Sequence, residues 1–190
     1  NPTGNLWAED DLVAIIEACN TSDYQGLVVL DEAYLPFSSR DHLSWLDRFE
    51  NVVVMRTLSK VGLAGLRLGM LFGRKEWLSE LDKIRMPYNI NVLTQASAAF
   101  ALKHYDVLMK QCDVLKTERE KMHEKLLELG FAAFDSEANF ILARVPEGEV
   151  ARDIFEKLKQ QDILIKCTDG AHPLLAKTLR FTVGAPEENT

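Results

Sequence analysis

The sequence predicts an α/β fold in two parts. Three short apolar runs, at residues 26–30, 52–55 and 67–73, read as buried strands. Helix-like segments alternate with them, the pattern of βα units and a mostly parallel sheet. A long helical stretch at 91–129, followed by short strands, marks a smaller α+β part. The boundary falls near residue 110, giving parts 1–110 and 111–190.

Residues 8–19 form the first helix. Leu12, Ile15, Ile16 and Cys19 share one stripe, and Glu9, Asp10 and Asp11 crowd the first turn, where the helix dipole favours anions. Gly26 to Leu30 is short and evenly apolar and ends in Asp31, so it is the first strand. Residues 42–49 form a short helix, and Val52 to Met55 a second strand. Arg67 to Gly73 is a third, parallel or antiparallel. Pro87-Tyr88-Asn89 punctuates the chain. Residues 91–129, rich in Ala, Leu, Lys and Glu, read as nearly continuous helix ended by Gly130. Strands at 139–145, 163–166 and 178–183 and a helix at 149–160 complete the chain.

Composition narrows the classes of function. Of 190 residues, 22 are Lys or Arg and 29 Asp or Glu, a net charge of −7, so a broad nucleic-acid surface is not expected. No apolar run approaches the roughly 18–20 residues of a membrane span, and a cytoplasmic, globular protein is expected. The three cysteines, Cys19, Cys112 and Cys167, contain no C-x-x-C pair, and the four histidines never pair at ligand spacing, so no metal site is expected. The chain opens Asn1-Pro2-Thr3-Gly4 with neither Met nor leader, and is read as an interior or C-terminal piece of a longer protein.

Four stretches carry possible chemistry. Asp31 ends a buried strand, where open α/β sheets bind ligands; a lone Asp there also serves as a turn or cap residue. Thr57-Leu58-Ser59-Lys60 follows the next strand and brings two hydroxyls and an amine to the same sheet edge. Such a lysine is either solvated or, when desolvated, a Schiff-base nucleophile. Gly62-Leu63-Ala64-Gly65-Leu66-Arg67 allows close backbone approach and offers a planar fork for phosphate, without being a dinucleotide or P-loop motif. Arg180 lies among Leu179, Phe181 and Val183 on a strand and needs a partner, either a structural carboxylate or a ligand. Amine, acid, hydroxyls and two guanidinium groups are the set that pyridoxal phosphate requires.

The motifs Asn1-Pro2-Thr3-Gly4, Asp31-Glu32-Ala33-Tyr34 and Ser59-Lys60 with Gly62-Leu63-Ala64-Gly65-Leu66-Arg67-Leu68-Gly69 resemble those of the class I/II aminotransferases of fold type I, in that family's order. Ala138-Asn139-Phe140, His172-Pro173-Leu174-Leu175 and Leu179 to Gly184 resemble the histidinol-phosphate aminotransferase branch. The resemblance implies the C-terminal half of such an enzyme, with part of the large-domain mixed sheet at 1–110 and a small α+β domain at 111–190. It implies pyridoxal 5'-phosphate as cofactor, amino-acid and 2-oxo-acid substrates, and a homodimer.

Roles also follow from the resemblance. Lys60 is the Schiff-base lysine and proton carrier, Asp31 the partner of the pyridine nitrogen, and Asn1 and Tyr34 hydrogen-bond partners of the ring's phenolic oxygen. Ser59 and Arg67, helped by Thr57, hold the phosphate. Arg180 binds the anionic end of the substrates, joined by Lys166 where many relatives carry a second Arg. Three other readings stand beside this one: an aromatic aminotransferase, a threonine-phosphate decarboxylase, and a non-catalytic fragment or sensing domain.

Overall fold

The computed structural model describes residues 3–189; Asn1, expected beside the cofactor ring, lies outside the described residues with Pro2 and Thr190. The chain divides into two compact units, residues 7–111 and residues 112–190 with 1–6.

The first unit holds α1 (Glu9–Ala18), β1 (Val28–Asp31), α2 (Trp45–Arg48), β2 (Val52–Thr57), β3 (Gly69–Gly73), α3 (Lys75–Ile84), α4 (Val92–Lys103) and the start of α5 (Tyr105–Glu128). Its strands lie in the order β1-β2-β3, with β1 parallel and β3 antiparallel to β2. Connection length decides this: residues 58–68 are too few for a parallel crossover. Period-two alternation sends Val28, Leu30, Val52, Val54 and Phe72 toward α1 and α2, where they meet Leu12, Ile16, Trp45, Leu46 and Phe49. Asn51 ties this layer together, its Nδ2 donating to Ile16 O at 3.0 Å and Gly26 O at 3.2 Å.

Two features of the helices differ from the sequence reading. The expected continuous helix at 91–129 breaks at His104, which closes α4 by donating its N–H to Ala101 O, and α5 starts afresh. The Asn91 side chain caps α4 by accepting Thr94 N–H at 2.9 Å. Helix α3 was not expected; it is anchored by Trp77 Nε1 donating to Glu50 O at 2.7 Å and by Arg74 pairing with Glu50 at 3.0 Å.

The second unit contains the rest of α5, β4 (Ala132–Ala133), β5 (Phe140–Arg144), α6 (Ala151–Lys159), β6 (Lys166–Cys167) and β7 (Thr178–Thr182). The strands are antiparallel in the order β4-β5-β7-β6. One sheet face, with Ile141, Ala143, Leu179, Phe181 and Cys167, packs against Leu115, Met122 and Leu126 of α5 and Ile154 and Phe155 of α6. Gly130, at φ 83°, ends α5 as expected, with Gly130 N–H on Leu127 O and Phe131 N–H on Leu126 O, each at 3.0 Å. The strand expected at 163–166 is displaced to the two residues of β6, and β4 was not expected.

Residues 3–6 belong to this second unit although they precede the first along the chain. Gly4 O accepts Glu137 N–H at 2.8 Å. At φ 81°, a Cβ on residue 4 would lie 2.7 Å from Ser136 Oγ and 3.1 Å from the Phe140 ring, so this seat admits only glycine.

Candidate functional site

The loops leaving β1 and β2 form the candidate site of the first unit. Strands β1 and β2 are parallel, so their carboxyl ends emerge on the same edge, and Asp31 pairs in register with Met55 two residues before Thr57. Asp31 is exposed and its Oδ1 accepts Ala33 N–H at 2.9 Å, a turn that directs the chain into Tyr34 and the 3-10 turn Leu35–Phe37. The turn reading and the site reading of this residue therefore coexist.

Thr57 shapes the second loop. Its Oγ1 lies 2.9 Å from Ser59 Oγ, accepts Ser59 N–H at 3.0 Å, and reaches Leu68 O at 3.2 Å. Leu58, only 2% exposed, is the apolar peg beneath. Ser59–Val61 is a 3-10 turn closed by Gly62 at φ 90°, and Ala64–Leu66 is a second, closed by Arg67 at φ 50°. A Cβ at Gly62 or Gly65 would meet nothing within 4 Å, so the loop borders open space. Arg67 is exposed in the left-handed region, a conformation uncommon for a non-glycine residue.

Lys60 and Tyr34 come together, Lys60 Nζ standing 4.7 Å from the centre of the Tyr34 ring. Among the described residues no carboxylate pairs with Lys60 or with Arg67. The half-buried amine is thus left to a ring and the open side of the loop, with Ser59 beside it. These residues fit pyridoxal phosphate: an amine without a salt bridge, a ring beside it, and hydroxyl and guanidinium donors around a cradle without side chains.

Arg180 and Lys166 lie in the second unit, on β7 and β6. The Arg180 guanidinium stacks 4.7 Å from the centre of the Phe140 ring, and its Nε is buried without a hydrogen-bond partner. A structural carboxylate for Arg180 was one sequence reading; none is found among the described residues. Leaving such a donor unmade costs about 1–3 kcal/mol, and a bound anion would relieve that cost.

A charged cluster beneath the loops escaped the sequence reading. Glu32 Oε1 accepts His42 N–H at 2.6 Å and lies 3.1 Å from His42 Nδ1. Glu32 Oε2 accepts Arg56 Nε at 2.9 Å; Nη2 is equally close but off the line of an N–H bond, so Nε carries the contact. The signal was present: Glu32 and Arg56 continue the buried alternation of β1 and β2 with opposite charges. His42 is a core histidine, 7% exposed. An apolar groove of about 690 Å³ lies behind the glycine loop, lined by Leu63, Leu66, Phe100, His104 and Val107, and offers little for chemistry. Among the described residues no group of three His, Cys, Asp or Glu could hold a metal ion, and no helix is long and apolar enough to cross a membrane.

An α/β sheet with a lysine loop, an acid at the neighbouring strand end and open phosphate-type donors is suited to holding a phosphorylated cofactor. Residues 1–190 match the family described as aminotransferase class I and II, and the chain belongs to that family. It is similar to histidinol-phosphate aminotransferase 1 of Ralstonia nicotianae, 48% identical over the whole chain and half of that relative. It is 50% identical to histidinol-phosphate aminotransferase 2 of Cupriavidus pinatubonensis, over the whole chain and 51% of that relative. The histidinol-phosphate aminotransferase of Sinorhizobium meliloti, solved in complex with pyridoxal-5'-phosphate, superposes with a TM-score of 0.83 at 29% identity, over the whole chain and 52% of that structure. The fold is that of the fold-type I aminotransferases. The chain spans about half the length of the curated relatives it matches. That share does not support the expected C-terminal placement.

Proposed function

We propose that this chain is part of a pyridoxal-phosphate-dependent transaminase that moves the amino group of histidinol phosphate to 2-oxoglutarate, a step of histidine biosynthesis. The observation that carries the reading is Lys60, an amine without a carboxylate partner among the described residues, 4.7 Å from the Tyr34 ring on a loop of hydroxyl donors. Its support from outside the chain is the name shared by relatives 48–50% identical to it. In this reading residues 1–110 contribute to a large cofactor-binding domain and 111–190 form a small domain. Exposed Ile84, Met86, Tyr88 and Leu93 fit burial against further protein, consistent with a homodimer, and three free cysteines fit a cytoplasmic, reducing setting.

Pyridoxal phosphate, when bound, supplies an electron sink for the α-carbon of the amino acid. Lys60 Nζ would anchor it and would hold the proton that leaves the substrate's α-carbon. The Asp31 carboxylate would keep a proton on the pyridine nitrogen, and Tyr34 would hydrogen-bond the phenolic oxygen, the role the resemblance also gives to Asn1. Ser59 Oγ and the Arg67 fork hold the phosphate, while Thr57 keeps the loop closed. Arg180 and Lys166 take the substrate's anionic groups. Full-length protein assayed with histidinol phosphate and 2-oxoglutarate, beside phenylalanine and threonine phosphate, tests this. Preference for histidinol phosphate is the expected result. Faster turnover of phenylalanine, or release of carbon dioxide from threonine phosphate, assigns the site to a different enzyme of the family.

A further inference from the structure

We propose that the buried Glu32–Arg56 pair, held by His42, is a positioning device for the cofactor site, an inference that rests on the roles given above to Asp31 and Lys60. Glu32 follows Asp31 directly, and Arg56 directly precedes Thr57 and the lysine loop. The Glu32 side chain is 7% exposed and the Arg56 side chain 20%, so the pair sits under the sheet edge from which both loops leave. Both carboxylate oxygens are used. Oε1 takes the backbone and ring nitrogens of His42, and Oε2 takes Arg56. Around them, Trp45 stands edge-on to His42 with ring centres 4.5 Å apart, Arg56 lies 5.7 Å from the Phe72 ring, and Asp41 lies 3.6 Å from Arg56 Nη2.

Stability alone does not explain such a cluster. A buried ion pair is often no more stabilising than apolar residues of the same volume, whereas removing one partner leaves a buried charge unmatched. Directional pairing instead fixes register. The Glu32 N–H already bonds Met55 O at 2.8 Å, and the side-chain pair adds a second tie one step further along the same two strands. With the strand ends locked together, the Asp31 carboxylate and the Lys60 loop leave the sheet at a fixed separation. Support of this kind for a site comes from residues that touch neither substrate nor cofactor.

Full-length protein carrying Glu32→Met, Arg56→Met, or both tests the proposal by two measurements. These are the thermal midpoint of the apoprotein and the Kd for pyridoxal phosphate, followed by quenching of tryptophan fluorescence. Each single change is expected to lower the midpoint and raise the Kd. The double change is expected to recover the midpoint only in part, because the buried His42 N–H still lacks its acceptor, while the Kd stays about tenfold raised, within the usual range of coupling between sites. Recovery of the Kd together with the midpoint overturns the proposal, because the pair is then only structural. Glu32→Asp, which keeps the charge but shortens its reach, gives a second reading: a raised Kd supports the proposal, and an unchanged Kd overturns it. Wild-type protein that takes up no pyridoxal phosphate overturns the functional reading itself and this inference with it.

Discussion

Lys166 on β6 and Arg180 on β7 are register partners, directly opposite each other in an antiparallel pair, so two cations share one face of the small sheet. Like charges in that relation are destabilising. Among the described residues no carboxylate pairs with either. The arrangement is costly for the fold alone and suited to an anion that bridges the two strands.

Lys166→Gln is therefore expected to raise the thermal stability of the full-length protein slightly, by a few tenths of a kcal/mol, because Lys166 is exposed and its repulsion screened. The same change should raise KM for histidinol phosphate about tenfold, and less for glutamate, since a charged hydrogen bond is worth about 1.5–3 kcal/mol. Steady-state kinetics beside thermal melts check both halves. An equal loss for the two substrates contradicts a phosphate-directed role.

Borohydride treatment of full-length protein loaded with pyridoxal phosphate should fix a pyridoxyl group on Lys60. Peptide mapping reads the position, and label on another lysine contradicts the assignment. Lys60→Arg should remain unlabelled there and lose at least about a hundredfold in turnover, the usual scale for a positioned proton carrier.

Glu118, on α5, ties the stability of the second unit to acid pH. Hydrogen bonds from Lys121 Nζ at 2.7 Å, then from Asn189 Nδ2 at 3.3 Å, hold its carboxyl below the usual glutamate range. Asn189 in turn clasps both backbone groups of Gly184. A carboxyl whose pKa is lower in the fold stabilises it above the unfolded value, and that contribution fades as pH falls through the lowered value. Melting curves taken downward from pH 5 should thus fall more steeply for the wild type than for Glu118→Gln. Parallel curves contradict the linkage.

Cys112 should be the last cysteine to react. It is 2% exposed, and burial pushes its thiol above the ordinary value, which leaves little thiolate at neutral pH. Iodoacetamide at neutral pH, read by mass spectrometry, should modify Cys19 and Cys167 first. Early labelling of Cys112 in folded protein contradicts this.

The legible parts of the sequence were those where one residue pattern answers to one structural cause. Val52 to Val54 could only be a buried strand, and Gly130 stopped α5 because its left-handed turn suits glycine. The Ser59-Lys60 loop stood out because hydroxyls and an amine crowd one strand end. His104 was opaque: neither glycine nor proline announces the break there, and the apolar period runs through it. Helix α3 was hidden because Arg74 alone separates it from β3. Cross-strand relations, Glu32 with Arg56 and Lys166 opposite Arg180, depend on pairing that spacing along one chain does not encode.

The glycine seat at residue 4 has a kinetic consequence. Gly4 and Ser136 lie roughly 130 residues apart in the chain, and the whole first unit is strung between them. The first unit precedes Ser136 and Phe140 in the chain, so it is expected to fold before residues 3–6 dock against them. Their docking closes a long loop and is expected to come late, since the entropy of closure is spent before the contact rewards it. A refolding experiment that follows hydrogen exchange at Glu137 N–H, the donor to Gly4 O, should see protection there trail that of Val53 and Val54.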